Sequence, residues 1–236
     1  MITTETIALA HDGSRSFDAY LARPGSPAPS IMILTEMFGL SGHNREMADD
    51  YARRGFNALV PNLFWRSDYA GELGFDEPDR SAAWARLKAF DVDAAGADID
   101  LAVTWLRQQP YSNGKVFALG FCAGGRMAFV AAARADVDAA VSFYGMGIAK
   151  HAGELGKVSC PVHLHYGLKD PHIPLEEVEA VTQSAKARPS IEIFRYPDAG
   201  HSFFNPIRPA YHAPSAKIAG ERLDALIERV FAAAPA

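Results

Sequence analysis

The segment Gly120-Phe121-Cys122-Ala123-Gly124-Gly125 sets a thiol between glycines on either side. An apolar run, Val116-Phe117-Ala118-Leu119, precedes it, and Met127-Ala128-Phe129-Val130-Ala131-Ala132-Ala133 follows. The pattern predicts a strand, a tight turn and a helix with cysteine at the apex. Such a turn is a nucleophile elbow in which cysteine stands where serine is usual. The glycines answer a steric demand. The nucleophile's backbone is strained, and side chains two positions to either side would collide with each other and with the neighbouring strand. A thiol attacks as its thiolate, so the chain must also supply a base for its proton and a carboxylate to orient that base.

Two downstream residues meet this need. Asp170 lies in Leu168-Lys169-Asp170-Pro171, just past an apolar run at residues 162–167. His201 lies in Pro197-Asp198-Ala199-Gly200-His201-Ser202-Phe203, after a second predicted strand at residues 191–196. Nucleophile, acid, histidine is the chain order of α/β-hydrolases. Each residue also has a plainer use. Asp170 before proline suits a turn or a helix cap, and a loop histidine is ordinarily a surface polar group. Three matches in the right order, each after its own predicted strand, favour a Cys122–Asp170–His201 triad. Asp198 is the competing acid, but it lies too close in sequence to His201 for the usual geometry. An oxyanion needs two amides. Ala123 N–H at the helix start is one, and the second is expected around Met37, in the loop after residues 30–35.

The elements that must hold these residues alternate along the chain. Residues 6–9 and 17–21 predict an antiparallel hairpin around His11-Asp12-Gly13-Ser14. Buried strands are expected at 30–35 and 56–60, with a helix at 44–54 between them. Residues 65–77 are irregular and predict a loop at one edge of a site. Residues 79–109 predict helix, broken near Asp91. Strands follow at 115–120, 139–144, 162–167 and 191–196, with helices after Cys122, at 175–186 and at 215–233. A loop with a short helix is expected after residue 144. This is an α/β-hydrolase fold: one domain over residues 1–236, a mostly parallel eight-stranded sheet with helices on both faces. Ligands then bind at the carboxyl ends of the strands.

Composition narrows the function. The chain has 236 residues, 49% hydrophobic and 22% charged, which suits a globular domain with a sizeable core. Net charge is -5 with no basic block, which argues against nucleic acid as a partner. No signal peptide or membrane span is expected from residues 1–5 or from any apolar stretch. The two cysteines, Cys122 and Cys160, make neither a disulfide framework nor a metal pattern, and Cys160 suits a small buried hydrophobe. A cytoplasmic address fits an enzyme that keeps one thiol reduced.

The chain resembles the dienelactone hydrolases (carboxymethylenebutenolidases) over nearly its whole length. The resemblance rests on Thr35-Glu36-Met37-Phe38-Gly39, Asp91, Gln109-Pro110-Tyr111-Ser112-Asn113-Gly114-Lys115-Val116, the elbow, Tyr144-Gly145, Asp170 and Ala199-Gly200-His201-Ser202-Phe203. An elbow cysteine combined with Glu36 is its most diagnostic part. The resemblance implies a carboxylic ester hydrolase, a substrate class of unsaturated lactones bearing a carboxylate, and a place in bacterial degradation of chlorinated aromatics, where dienelactone becomes maleylacetate. It implies no metal and no organic cofactor. It implies that Glu36 holds the resting thiol neutral and takes its proton once arginine has bound the substrate's carboxylate. A carboxylate beside a thiol does disfavour a second negative charge.

By the same resemblance Arg80 receives the substrate carboxylate, and Trp84 and Phe38 line the pocket. Arg80 and Trp84 lie one helical turn apart and can face one cleft. The sequence by itself does not choose Arg80 over Arg86. Asn205 stands where the family has a second arginine, which leaves one guanidinium short unless Arg208 swings in. Asparagine cannot replace that charge. Phe64, Trp65 and Tyr69 suit either an aromatic pocket wall or the core. A monomer is expected. Two other functions remain open: a broader esterase or lactonase on the same machinery, which Asn205 favours, and a non-catalytic small-molecule-binding homologue.

Overall fold

The amino-terminal hairpin forms, and it is longer than predicted. Strands β1 (Thr3–Asp12) and β2 (Arg15–Arg23) pair antiparallel around Gly13. The computed structural model describes residues 1–232. Next come β3 (Ala28–Leu34), α1 (Gly42–Arg53), β4 (Asn57–Pro61), α2 (Asp79–Lys88) and α3 (Val92–Gln108). The carboxyl-terminal half adds β5 (Ser112–Phe121), α4 (Ala123–Arg134), β6 (Ala139–Phe143), a 3-10 segment (Ile148–Lys157), β7 (Val162–Gly167), α5 (Leu175–Ala185), β8 (Ile191–Tyr196) and α6 (Ala213–Ala232). The last helix was expected to reach Ala233, which lies outside the described residues.

The eight strands form one sheet in the order β1-β2-β4-β3-β5-β6-β7-β8. β1 and β2 run antiparallel, and β3 to β8 are parallel. Strands β4, β6 and β7 are buried along their whole length, as parallel strands between two helical layers should be. Helices α1 and α6 cover one face, joined by Arg54–Asp224 at 2.6 Å and by Phe56 against Phe231. Helices α3 and α4 cover the other. There Arg134 ties α4 to Asp93 of α3 and to Glu154 of the 3-10 segment, both at 2.6 Å. Among the described residues no helix is long and apolar enough to cross a membrane.

The chain leaves β3 toward β4 on one side, and β5 pairs with β3 on the other. That reversal opens a crevice at the strands' carboxyl ends. The predicted helix break is real and has a cause. Asp91 caps α3, its side chain accepting from Asp93 N–H and Ala94 N–H at 2.9 and 3.0 Å. Phe64 and Trp65 belong to the core, and Trp65 stacks on Phe17 and donates to Asp98 at 2.9 Å. Tyr69 is exposed. None of the three walls the crevice.

Under the crevice lies an aromatic floor. Phe143 at the end of β6 meets the rings of Phe121, His165 and Phe204 at 5.4, 4.6 and 4.2 Å. Removing a buried ring of this kind costs about 3–5 kcal/mol. The strand ends that carry the chemistry are therefore braced from below.

Candidate active site

Cys122 sits between β5 and α4 with φ 55° and ψ -115°, a conformation that L residues avoid. Holding a side chain there costs about 1–3 kcal/mol, which the surroundings must offset. They do so by hydrogen bonding and by close packing. Cys122 N–H donates to Phe143 O, Gly124 N–H to Thr35 O and Arg126 N–H to Cys122 O, at 3.0–3.2 Å. A Cβ on Gly120 would lie 2.0 Å from the Gly124 carbonyl oxygen, and one on Gly124 would lie 2.0 Å from that of Leu34 in β3. Both predicted collisions are thus present, within the elbow and with the neighbouring strand. The thiol lies at the amino-terminus of α4, where free N–H groups and the helix dipole favour negative charge.

Among the described residues two other non-glycine residues have positive φ, Tyr144 at 41° and Ser202 at 61°. Tyr144 follows β6 and Ser202 follows His201, so all three strained residues meet at the crevice. Tyr144 O–H and Ser202 Oγ–H both donate to Oε1 of Glu36, at 3.3 and 3.2 Å. Glu36 itself is buried directly after β3. Burial pushes the Tyr144 hydroxyl well above its ordinary range, and the charges of Glu36 and Cys122 push it further, so it stays a donor.

Asp170 follows β7 with its side chain fully buried. Its Oδ2 lies 2.7 Å from His201 Nδ1, and its Oδ1 accepts from His172 N–H at 2.8 Å. The plainer turn role is therefore present beside the histidine contact. Burial opposes charge on the His201 ring. A Cys122 thiolate and the Asp170 carboxylate outweigh it and raise the imidazolium to about 10. Asp198 points elsewhere and pairs with Lys169 at the surface, 2.8 Å away.

Cys122, His201, Glu36, Met37, Phe38, Arg80 and Trp84 line one cavity of about 320 Å³, together with Met146, His172, Ser202 and Arg208. The cysteine sulfur lies 3.8 Å from Met146 Sδ, and among the described residues no hydrogen bond joins it to Glu36. Arg80 reaches the cavity from α2 while pairing with Glu77 at 3.0 Å. Arg86, which the sequence left equivalent, is buried and turned away, donating to the carbonyls of Met37, Tyr69 and Gly71. Burial without a carboxylate partner lowers it to about 10.

Asn205 requires a correction. Its side chain does not line the Cys122 cavity. It faces a neighbouring one and accepts from Ile207 N–H at 3.2 Å. Arg208 N–H then closes on Asn205 O at 3.1 Å. Asparagine here opens a tight turn, and the turn carries Arg208 back into the cavity, its guanidinium stacked on Phe38 and Phe75 at 4.8 and 4.1 Å. The cavity therefore holds two arginines. His172 and Met146 went unnoticed in the sequence. His172 stands two residues after Asp170, and its ring meets those of Trp84 and His201 at 5.4 and 5.0 Å. Cys160 lies outside the cavity, with burial raising its thiol to about 11. Among the described residues no cluster of metal-ligating side chains forms.

The family model described as "Dienelactone hydrolase family" matches residues 17–231. The chain belongs to the dienelactone hydrolase family. A carboxymethylenebutenolidase of Pseudomonas putida is 35% identical over 221 residues, covering 93% of this chain and 94% of the relative. Carboxymethylenebutenolidase 1 of Cupriavidus pinatubonensis is 32% identical, covering 87% of this chain and 88% of the relative. Among solved structures, a provisionally assigned dienelactone hydrolase from Klebsiella pneumoniae superposes with a TM-score of 0.84 at 27% identity, covering 99% of this chain and 100% of that one. The α/β-hydrolase expectation for the sheet and its helical layers is met in this dienelactone hydrolase family member.

Proposed function

We propose that this dienelactone hydrolase family member is a cysteine-dependent hydrolase that opens unsaturated lactones bearing a carboxylate, of the dienelactone type. The observation that carries the proposal is the strained Cys122 in one cavity with the Asp170-held His201 ring and two arginines. His201 takes the thiol proton, and the thiolate attacks the lactone carbonyl. The Ala123 and Met37 amides receive the oxyanion. The ring C–O bond breaks, a thioester forms, and the leaving enolate takes its proton from His201, which returns the ring to neutral. Neutral His201, oriented by Asp170, then draws a proton from water. The hydroxide equivalent displaces Cys122 as thiolate and releases the diacid.

Arg80 and Arg208 bind the substrate's carboxylate. Glu36 shares their cavity, so a second carboxylate arriving there favours the protonated form of one of them. When Glu36 is the one that protonates, its charge no longer opposes a Cys122 thiolate, so substrate binding eases transfer of the thiol proton to His201. A second reading, a broader esterase, draws support from the apolar walls of Met37, Phe38, Trp84 and Met146. Steady-state rates on cis-dienelactone and on neutral aryl esters separate the two. The proposal expects dienelactone to have the higher kcat/KM and Cys122→Ala to abolish both activities with the fold intact. Retained hydrolysis in that variant would contradict it.

A further inference from the structure

A cation buried without an anion is costly, and Arg86 is one. It is 2% exposed, and its guanidinium lies over the ring of Phe64 at 4.4 Å. Its bonds go to carbonyls on two separate loops. Nε donates to Met37 O at 2.6 Å, and Nη1 donates to Tyr69 O and Gly71 O at 2.6 and 2.8 Å. Nη2 is buried with no hydrogen-bond partner among the described residues, and a Cβ added to Gly39 would lie 2.9 Å from it. So costly a group points to a geometric task.

The task is visible in the turn at residues 36–39. Gly39 N–H bonds Glu36 O at 3.1 Å, Arg86 bonds Met37 O, and Leu73 N–H bonds Phe38 O at 3.0 Å. All three carbonyls of the turn are held, so the peptide planes cannot rotate freely. Arg86 makes the middle bond and is the only side chain among the three donors. It also ties this turn to α2, the helix that brings Arg80 and Trp84 to the cavity.

We propose that Arg86 is a positioning residue for acyl transfer, locking the turn at residues 36–39 so that Met37 N–H faces the attacked carbonyl. The inference rests on the reading of Cys122 as nucleophile and Met37 N–H as oxyanion donor. It concerns a residue that touches neither substrate nor thiol. Lysine would keep the charge but lose the planar fork that spans three carbonyls.

The test compares two reactions of the same thiol. Acylation by 4-nitrophenyl acetate builds an oxyanion. Alkylation by iodoacetamide displaces iodide at a saturated carbon and builds none. In Arg86→Lys and Arg86→Ala the acylation rate constant should fall about 30- to 300-fold, the range near that for loss of one oxyanion donor. KM should change little, and alkylation should stay within about twofold of wild type. Guanidinium at non-denaturing concentration should restore acylation in Arg86→Ala, because a cavity of about 280 Å³ borders the Arg86 side chain. Equal losses in both reactions, wild-type acylation, or no rescue by guanidinium would overturn the inference. If Arg86→Ala does not fold, Arg86→Lys carries the same comparison. Failure of the underlying reading looks different, because Cys122→Ala would then still hydrolyse the ester.

Discussion

Asp170→Asn removes one charge and one acceptor while keeping the side chain's shape. The wild-type carboxylate uses both oxygens, one for His201 Nδ1 at 2.7 Å and one for His172 N–H at 2.8 Å. Asparagine has a single oxygen. If it stays with His172 N–H, the amide NH₂ faces His201 and Nδ1 must become an acceptor. The ring proton then moves to Nε2, the nitrogen that receives the thiol proton in the proposed mechanism. If the amide flips, His172 N–H loses its partner and the loop after β7 loosens. Either way the carboxylate charge that helps to raise His201 is gone. A hydrogen bond to a charged group contributes about 1.5–3 kcal/mol, and the same exchange in a serine triad lowers kcat about 10⁴-fold. A thiol is the better intrinsic nucleophile, so the loss in kcat/KM should be on the order of 10²–10⁴, about 3–5 kcal/mol. The assay is kcat/KM on an activated aryl ester as a function of pH, with circular dichroism to verify the fold. The deficit should shrink as pH approaches the ordinary thiol range of about 8.5. Activity within about threefold of wild type at neutral pH would refute the role of Asp170.

Three further outcomes follow from the geometry. Gly124→Ala puts a methyl group 2.0 Å from the Leu34 carbonyl oxygen, so β3 and α4 must separate. Its urea midpoint should fall by the equivalent of about 3 kcal/mol or more. Arg208→Ala should raise KM for a carboxylated lactone about tenfold or more while leaving a neutral aryl ester nearly unchanged. His165 is fully buried, and burial holds it well below its ordinary value, so the native state leaves it neutral. The unfolded chain binds a proton there below about pH 6.5 and the native state does not, so stability falls with acidification. The contribution is about 1 kcal/mol between about pH 6.5 and 5.5. Denaturant midpoints across that window should show the slope, and His165→Phe should flatten it.

The parts of the site that were legible in the sequence are those fixed by local sterics and chain order. Gly120 and Gly124 mark the elbow because nothing larger fits against the Gly124 and Leu34 carbonyls. Asp170 and His201 were legible because each lies in the loop that follows a parallel strand, at the carboxyl end of the sheet. Strand ends shifted by a few residues, as in the longer β1–β2 hairpin, because ladder pairing extends past the apolar pattern. Arg208 was harder. Its place depends on a turn opened by Asn205, and that turn brings the arginine three positions along the chain into the Cys122 cavity. Arg80 and Arg86 share one helix, and only tertiary contacts tell the cavity-facing guanidinium from the one that clamps the loops. The hydrogen bonds of Glu36 to Tyr144 and Ser202 likewise join three strand ends far apart in sequence.

The central claim is that Cys122 forms a covalent acyl intermediate, and intact mass measured during turnover tests it directly. Rapid acid quench of the enzyme with a slowly deacylating aryl ester should trap one acyl group. Peptide mapping should place it on Cys122, with none on Cys160. The adduct should build up in His201→Ala loaded with an activated thioester-forming acyl donor, because water activation is then lost. Full turnover with no mass increase, or an acyl group mapped to any other residue, would contradict the account.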